Sequence, residues 1–318
     1  MLKSRNHPKL RERFLRNTWI VVALLALVSL LGLAGRLHWT LDLFSHFRVQ
    51  YAQLALIGAG VCLWVRFNKA VLGFLAVFLL NYAFIFPLYL GKPDAPTQKP
   101  HRAMLMNIYA GNGNTQQVLD AVEQFAPDLL LLEEVTPKWV KELAPLNELF
   151  PYRIAQPQTD CFGIMLLSKY PLTEGVVVEI GAGGVPSIIT DVNFPDGTIT
   201  LVGTHPLPPI SSTYSAHRNH QLEELAAIAK NQRKPVLVMG DLNTTPWSPH
   251  FRKLLRDSGL RDSTKGFGFQ PTWRGSIPLL KIPIDHMLYS SGIRVWNRVV
   301  GPKVGSDHLP VVLDFEIQ

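Results

Sequence analysis

Three long apolar segments dominate the first hundred residues of the chain. They run from Trp19 to Ala34, from Tyr51 to Val65 with Gln53 as the strongly polar exception, and from Ala70 to Leu90 with Asn81 inside. A helix that crosses a bilayer needs about 20 apolar residues. The pattern therefore predicts three membrane-spanning helices. Because the second segment is short, two spans with an interfacial segment is the alternative.

After Arg102 the pattern changes to short apolar runs separated by amphipathic stretches. The runs predict strands at Ala103–Ala110, Asp128–Val135, Gly163–Ser168, Val176–Ile180, Ser187–Phe194, Thr198–Thr204, Pro235–Gly240, Asp285–Ser290, Arg294–Val300 and Val311–Ile317. Helices are predicted at Thr115–Phe125 and Tyr214–Asn231, and another starts at the N-cap Thr136. Hairpin-linked strands with a few helices between them predict two packed sheets covered by helices. The proline-rich stretch Gly91–Pro100 predicts a short linker.

The net charge of +7 is unevenly distributed over the 318 residues. Residues 1–100 hold 12 Lys and Arg against 3 Asp and Glu, which gives +9, and residues 101–318 hold 19 against 21, which gives −2. The basic residues crowd the N-terminus at Lys3, Arg5, Lys9, Arg11, Arg13 and Arg16. The positive-inside rule then predicts a cytoplasmic N-terminus. Three spans would place everything after Leu90 outside the cytoplasm.

The weakly acidic C-terminal region lacks the basic footprint that is typical of a non-specific nucleic-acid binder. A bound divalent cation and a small basic patch can substitute for that footprint, so the charge only weighs against such a partner. The two cysteines, Cys62 and Cys161, lie in different predicted domains. We therefore expect no disulfide, and neither cysteine has the spacing of a zinc site.

Carboxylates, amides and histidines stand at the ends of several predicted strands. The motifs are Asn107-Ile108, Glu133-Glu134-Val135, Thr204-His205-Pro206, Gly240-Asp241-Leu242-Asn243, Ile284-Asp285-His286 and Ser306-Asp307-His308. Strands that deliver such side chains to one sheet edge build hydrolytic sites for hard metal ions. The set indicates an enzyme that cleaves phosphoesters.

Two pairs of these residues suggest particular chemistry. Asp241 and Asn243 can face one site, where one handles a water or a metal and the other donates an amide N–H to a phosphoryl oxygen. An ordinary turn after a strand is the alternative. Asp285 stands in an apolar context, and a buried carboxylate needs a partner. His308 is the candidate, because an aspartate would orient its imidazole, and a structural ion pair is the alternative.

The remaining polar residues have weaker signals. Glu133 and Glu134 are adjacent, and adjacent strand residues face opposite ways, so we expect one to share the site of Asp241 and the other to lie at its rim. His205 is expected to bind phosphate or protonate a leaving group, with a satisfied histidine near a turn as the alternative. Asn107 is expected to hold the glutamate or a metal-bound water, with a strand-edge amide as the alternative. We expect the helix-associated histidines to lie on the surface; these are His217, His220 and His250.

In their joint order the motifs resemble the endonuclease/exonuclease/phosphatase superfamily, which includes DNase I-like nucleases, inositol-phosphate phosphatases and neutral sphingomyelinases. The resemblance covers about residues 103–317. Glu133-Glu134 stands where the family has Gln-Glu, Leu167-Ser168-Lys169-Tyr170-Pro171 resembles Leu-Ser-Arg-Tyr-Pro, and Gly240-Asp241-Leu242-Asn243 resembles Gly-Asp-Phe-Asn. Asp285 and Ser306-Asp307-His308 are similar to the C-terminal signatures. The stretch Thr204–Pro209, with the N-terminal apolar segments, also resembles membrane-anchored bacterial members linked to cell-envelope resistance.

The resemblance implies a four-layered α/β/β/α sandwich with Mg²⁺ or Mn²⁺ as cofactor. It also implies roles for the matching residues. Glu134 binds the metal, with Asn107 close by and Asp307 as an additional ligand; Asp241 orients or activates the water; Asn243 contacts the phosphoryl oxygens; Asp285 and His308 form a polarised pair near the scissile phosphate. His205 stands where DNase-like members carry histidine and abasic-site nucleases carry tyrosine. This difference argues against a function in abasic-site repair.

The sequence therefore predicts a membrane anchor at residues 1–90, a linker at 91–101 and a catalytic domain at 102–318. The expected location is the bacterial inner membrane, multi-pass, with the catalytic domain on the periplasmic side. The expected partners are the lipid bilayer and a phosphoester substrate, and no protein partner is predicted. A lipid-linked phosphate is the leading substrate. The alternatives are a metal-dependent endonuclease acting on nucleic acid and a catalytically inactive binding scaffold of the same fold.

Overall fold

The computed structural model describes residues 8–91, 93–274 and 280–318, without the side chains of residues 8–10. Lys3 and Arg5 of the predicted basic cluster and Lys92 of the predicted linker lie outside the described residues. The chain divides into two compact units, Met1–Phe86 and Pro87–Gln318.

The first unit is helical. Its α-helices are α1 (Pro8–Leu31), α2 (Trp39–Leu43), α3 (Arg48–Trp64) and α4 (Asn68–Ile85). By length and composition, two stretches of the described residues could cross a membrane: Arg11–Ala34 with 24 residues and Asn68–Tyr89 with 22. The 17-residue helix α3 covers the second predicted segment. A polar chain ties three of these helices together, because Asn81 donates to Ser29 at 2.8 Å and accepts from Arg48 at 3.3 Å.

The second unit contains two six-stranded sheets. The strands are β1 (His101–Asn107), β2 (Leu129–Glu133), β3 (Tyr152–Gln156), β4 (Ile164–Ser168), β5 (Leu172–Glu179), β6 (Pro186–Phe194), β7 (Gly197–Thr204), β8 (Val236–Asp241), β9 (Arg261–Asp262), β10 (Asp285–Tyr289), β11 (Ile293–Val300) and β12 (Val311–Ile317). The sheet orders are β11-β12-β1-β2-β4-β3 and β5-β6-β7-β8-β10-β9. The helices are α5 (Thr115–Phe125), α6 (Pro137–Glu142), α7 (Ser212–Asn231) and α8 (Pro249–Ser258).

Alternation along the strands separates three cores. In β1, Ala103 and Leu105 face the core between the two sheets, whereas Met104 and Met106 face the core beneath α5 and α6. A third core lies between the other sheet and the helices α7 and α8. The prediction of an α/β fold with two packed sheets covered by helices is confirmed.

The structure adds elements that the sequence pattern did not predict. Strand β3 pairs with β4 at the edge of its sheet, and α8 covers the second sheet. The predicted linker also makes specific contacts with the catalytic unit. The backbone N–H groups of Thr97 and Gln98 donate to the carboxylate of Glu316 at 2.6 and 2.9 Å, and Arg294 donates to the carbonyl of Ala95 at 3.2 Å. Residues 95–98 of the predicted linker are therefore bonded to strands β11 and β12 of the second unit, to which they belong.

Candidate active site

Strand alternation places the candidate catalytic residues between the two sheets. Asn107 follows the inward-facing Ala103 and Leu105, and Asp241 follows the inward-facing Leu237 and Met239. The other members of the set, Glu133 and Asp285, share the alternation of the inward-facing Leu131 and Met287 in their own strands. Each of these four residues stands at one terminus of its strand. The polar cluster therefore caps one end of the inter-sheet core, where burial strengthens electrostatic interactions.

Glu134 lies just beyond the end of β2 and takes a left-handed backbone conformation, with φ of 61°. This turn breaks the strand alternation and redirects the side chain. Its carboxylate accepts hydrogen bonds from Asn107 Nδ2 at 3.1 Å and from the backbone N–H of Ala110 at 2.9 Å. Burial raises the pKa of Glu134 and these hydrogen bonds partly offset the rise. The predicted contact between Asn107 and this glutamate is present in the structure.

Glu133 is the glutamate of the pair that contacts Asp241. Its side chain is fully buried, and both carboxylate oxygens accept from the backbone N–H of Asp241, at 3.2 and 3.0 Å. Burial and the neighbouring carboxylates of Asp241 and Asp285 raise its pKa well above the usual value. Strand β2 continues through Glu133, so the inward direction falls on this residue, and Glu134 is the partly exposed one of the two.

Asp285, His308 and Asp241 form the centre of the cluster. His308 Nδ1 lies 3.0 Å from each carboxylate oxygen of Asp285, and its Nε2 lies 3.6 Å from Asp241 Oδ2. Ligand atoms of the three residues all lie within 4.8 Å of one another. The predicted pairing of Asp285 with His308 is present in the structure, and the backbone N–H of Asp285 is held by Thr272 Oγ1 at 3.1 Å.

The charges in this cluster depend on one another. Burial alone would lower the pKa of His308, but the carboxylates of Asp285 and Asp241 raise it to about 10. Burial raises the pKa of Asp241 to about 8, although the His308 imidazolium acts against the rise. Without a bound cation, His308 is therefore an imidazolium at neutral pH and its Nδ1–H donates to Asp285.

His205 approaches the same carboxylate from the end of β7. Its Nε2 lies 3.6 Å from Asp241 Oδ2, and the ring of Phe162 packs 5.5 Å from its own ring. Burial and the charge of His308 lower the pKa of His205 to about 3. His205 is therefore a neutral imidazole beside Asp241, which can accept a proton or donate one hydrogen bond according to its tautomer.

Asn243 is part of the loop that closes the site. Its backbone N–H donates to Asp241 Oδ1 at 2.9 Å, and its φ of 49° turns the chain sharply. Its side-chain amide donates to the carbonyl of Pro206 at 2.9 Å. Asn243 thus links the loop after β8 to the residue that follows His205, while the amide's second N–H is available to another acceptor.

Asp307 is half-buried next to His308. Its Oδ2 accepts from the indole N–H of Trp273 at 2.9 Å. Its charge contributes to the raised pKa of both His308 and Glu134, which places all three groups within electrostatic reach of one another. All eight predicted site residues therefore belong to one region of the described structure: Asn107, Glu134, His205, Asp241, Asn243, Asp285, Asp307 and His308.

Helix α7 supplies two buried residues that the sequence analysis did not identify. Arg218 donates to the carbonyl of Asn243 at 2.9 Å, and Gln221 donates to the hydroxyl of Thr204 at 2.9 Å. The two residues are three positions apart and therefore lie on one face of the helix. Polar residues on the inward face of the predicted helix Tyr214–Asn231 would have been the sequence signal for both.

The histidines outside the site have structural surroundings. His286 faces the helices, where its Nε2 lies 2.8 Å from the carbonyl of Thr244 and its ring packs against Phe251. His220 is exposed, as predicted. His217 and His250 are only half-exposed, so they are less superficial than expected.

The donor set fits a hard divalent cation. It consists of carboxylates and an amide, which are the oxygen ligands that Mg²⁺ and Mn²⁺ prefer. Burial raises the pKa of Glu133, Glu134 and Asp241. Among the described residues no Lys or Arg forms a salt bridge with any of the three. A divalent cation would supply the missing positive charge.

Comparison with known families places this cluster in a recognised context. The family model described as "Endonuclease/Exonuclease/phosphatase family" matches residues 104–308, which include every residue of the cluster. The chain belongs to the endonuclease/exonuclease/phosphatase family. Membership indicates hydrolysis of phosphoesters, and the family generally uses a divalent metal. No curated protein sequence matches the chain.

Solved structures share the fold at low sequence identity. An endonuclease/exonuclease/phosphatase from Beutenbergia cavernae is 20% identical, with a TM-score of 0.55 over 69% of this chain and 72% of that one. The human Nocturnin catalytic domain is 19% identical, with a TM-score of 0.57 over 69% of this chain and 94% of that one. A humanized D. rerio TDP2 is 16% identical, with a TM-score of 0.58 over 69% of this chain and 100% of that one. These similarities establish the fold.

Proposed function

We propose that this protein is a membrane-anchored, divalent-metal-dependent phosphoester hydrolase that acts outside the cytoplasm. The observation that carries the proposal is the convergence of Asp241, Asp285 and His308 at one end of the inter-sheet core, with Glu134 in electrostatic reach of Asp241 and His308, inside the region that matches the family model. The raised pKa values of the buried carboxylates support a bound cation. When bound, this ion supplies Lewis-acid polarisation of a phosphoryl oxygen.

The residues divide the chemical work by their protonation states. Glu134 and Asn107 hold the metal, with Asp307 as an additional ligand. Asp241 Oδ2 lies 3.6 Å from Nε2 of both His205 and His308. A bound cation would keep this carboxylate ionised, and it then orients and deprotonates the attacking water. The imidazolium of His308, fixed by Asp285, donates its Nε2–H to a phosphoryl oxygen.

Two further residues complete the proposed site. His205, held neutral by burial, donates one hydrogen bond to the phosphate, and the leaving oxygen takes its proton from water. Asn243 donates its second amide N–H to a phosphoryl oxygen, since its first binds Pro206. Both groups stabilise charge that develops in the transition state, and they are positioned by the same loop contacts.

The helical unit serves as the membrane anchor in this proposal. Helix α3 has 17 residues, fewer than the 24 and 22 residues of the two candidate spans, and it exposes Leu54, Ile57 and Trp64. Exposed apolar side chains of this size fit a lipid environment better than water. Three spans, together with the basic N-terminus, would put the catalytic unit on the outer face of a bacterial inner membrane.

A lipid-linked phosphate is the proposed substrate, because the anchor keeps the catalytic unit at a membrane and the −2 charge of residues 101–318 lacks a nucleic-acid footprint. A metal-dependent endonuclease is the second candidate, and the family match favours it equally at the level of chemistry. A catalytically inactive scaffold is disfavoured because all the expected positions carry residues that can perform the reaction.

The test is an activity screen of the full chain in detergent against a lipid pyrophosphate, plasmid DNA and bis-p-nitrophenyl phosphate. Each substrate is incubated with Mg²⁺, Mn²⁺ or EDTA, and Asp241→Asn is the matched inactive control. Metal-dependent cleavage of the lipid pyrophosphate supports the proposal. Cleavage of DNA alone would replace it with the endonuclease function.

A further inference from the structure

A polar cavity lies in the catalytic unit, at the end of β10 opposite to the catalytic cluster. Its volume is about 480 Å³, and its lining includes Leu90, Arg261, Lys265, Tyr289 and Arg294. Tyr289 stands four residues beyond the catalytic Asp285 along β10, which is about 13 Å at 3.3 Å per residue. The cavity is therefore separate from the catalytic cluster, and its volume suits a small polar group.

The wall of this cavity is bonded to the chain where a candidate membrane span ends. That span covers Asn68–Tyr89, so Leu90 on the cavity rim is the next residue. The carbonyl of Leu88 accepts from the N–H groups of Gly266 and Gly268, both at 2.9 Å. A Cβ on Gly268 would lie 2.6 Å from the ring of Tyr89. The cavity wall is therefore bonded to Leu88 and packed against Tyr89, the last residues of that candidate span.

The charges around the cavity favour an anion. Arg261 and Lys265 are exposed, and neither forms a salt bridge within the described parts of the chain. Arg294 forms a salt bridge of 3.6 Å with Asp94, whose side chain is 94% exposed, donates to the carbonyl of Ala95, and acts electrostatically on Glu316.

The remaining acidic group on the wall is already satisfied. The buried carboxylate of Asp262 accepts from the N–H of Thr264 at 2.9 Å, and its charge stabilises the charged form of the buried Arg298. Arg261 and Lys265 thus line the cavity without a salt bridge in the described residues, and Arg294 adds a third cation that is partly compensated.

We propose that this cavity binds the phosphate headgroup of an anionic phospholipid in the leaflet where the span Asn68–Tyr89 ends. The inference rests on the membrane anchor of the proposed function. Tyr89 and Leu90 are about half-exposed, and such residues mark the membrane interface, where tyrosine is enriched. Bound lipid would fix the catalytic unit at its membrane-proximal end while leaving the catalytic cluster free for substrate.

Native mass spectrometry of the detergent-solubilised full chain tests the site. Phosphatidylglycerol, phosphatidylcholine and inorganic phosphate are titrated separately in EDTA, so that metal-assisted binding at the catalytic cluster does not contribute. We expect one phosphatidylglycerol to be retained in preference to the other two. The double variant Arg261→Gln/Lys265→Gln should bind it about 25-fold more weakly, since each basic residue near a membrane surface contributes roughly fivefold.

Two controls make the result specific. Lys230→Gln/Arg233→Gln removes the same charge from exposed positions outside the cavity and should bind as the native chain does. Arg261→Lys keeps the charge and should retain binding. The melting temperature of each variant shows whether it is folded. Equal retention of phosphatidylcholine, equal losses in both double variants, or phosphate binding as tight as lipid binding would overturn the proposal.

Carbonate extraction of membranes separates the two premises. Extraction of the chain into the soluble fraction would overturn both the anchor and the lipid site. Retention in the membrane without a phosphatidylglycerol preference would overturn the lipid site alone. Neither outcome alters the hydrolase assignment, which the activity screen tests separately.

Discussion

The substitution Asp285→Asn tests the polarised pair at the centre of the site. Asparagine keeps the shape of the side chain and removes its charge. In the native chain both carboxylate oxygens lie 3.0 Å from Nδ1 of His308, and both residues are buried. The substitution therefore removes the main charge that keeps this imidazole protonated.

The size of the effect follows from the pKa of His308. The carboxylates of Asp285 and Asp241 raise the pKa of His308 from 6.5 to about 10. A rise of about 3.5 pH units corresponds to about 5 kcal/mol at 1.36 kcal/mol per unit. Asp241 still faces Nε2 in the variant, so we expect a fall of about 1–3 units, the usual effect of one opposite charge at this range. An imidazole that has lost its charge donates its Nε2–H more weakly to the phosphoryl oxygen, so activity should fall by about 10²–10⁴-fold.

Two assays measure these effects. The His308 imidazole is titrated by NMR in EDTA: the native signal should stay constant from pH 6 to 8, and the Asp285→Asn signal should titrate at a lower pH than the native one. Hydrolysis of bis-p-nitrophenyl phosphate with Mn²⁺ is then compared for Asp285→Asn, His308→Ala and the double variant. Because the residues act as a unit, the double variant should lose little more than either single one. Additive losses and an unchanged titration would refute the pair and leave Asp285 as a buried carboxylate held by Thr272.

Glu134→Gln should lower phosphodiester hydrolysis by about 100-fold or more, because loss of outer-shell partners alone costs a metal site 10–100-fold; near-native activity would move the ligand role elsewhere. Glu133→Gln restores the residue usual in the family, so activity should survive, and the melting temperature at pH 9 should rise because a buried carboxylate no longer ionises; strong loss of activity would contradict this. Arg218→Met should destabilise the chain by about 1–3 kcal/mol, the cost of leaving the Asn243 carbonyl unsatisfied, and should lower kcat more than it raises KM, with partial recovery in Arg218→Lys; an unchanged unfolding curve would argue against the contact. In EDTA the melting temperature should fall as the pH rises from 7 to 10. In the folded chain the pKa of Asp241 is about 8 against a usual 3.8, and that of His308 is about 10 against a usual 6.5, so the stability that their protonated forms contribute is lost as the pH rises through the folded values. A melting temperature that rises over this range would reverse the assigned signs.

The sequence predicted most strands to within one or two residues because strand alternation and end-of-strand polar residues are local signals, although β1 ends at Asn107 rather than Ala110 and β5 begins at Leu172 rather than Val176. Asn107, Asp241 and Asp285 share the inward alternation of their strands, and this brings them together without any knowledge of strand order. The same rule predicted that one of Glu133 and Glu134 shares the site of Asp241 but did not decide which, since the left-handed backbone at Glu134 cannot be recognised from the residue type. Backbone direction at a strand end decides which of two adjacent carboxylates reaches which neighbour.

Other features depended on tertiary contacts. Strand β3 is a short edge strand that is largely exposed, so it has no apolar run to reveal it. Helix α8 has local signals at its start, the N-cap Ser248 followed by Pro249, but its short amphipathic stretch lies outside the predicted helices. Arg218 contacts the loop after β8 and Gln221 contacts the last residue of β7, and both contacts form only when α7 packs against the second sheet. The bonding of Thr97 to Glu316 spans more than two hundred residues of sequence, beyond the reach of a local pattern.

The central claim is that the buried cluster around Asp241 is a metal-dependent hydrolytic site. The most direct measurement is the rate of phosphodiester hydrolysis by the full chain, titrated with Mn²⁺ after removal of metal by EDTA, for the native protein and for Asp241→Asn. The account predicts no hydrolysis in EDTA, saturable recovery with Mn²⁺ in the native chain and none in the variant. Hydrolysis that persists in EDTA, or that recovers equally in Asp241→Asn, would contradict it.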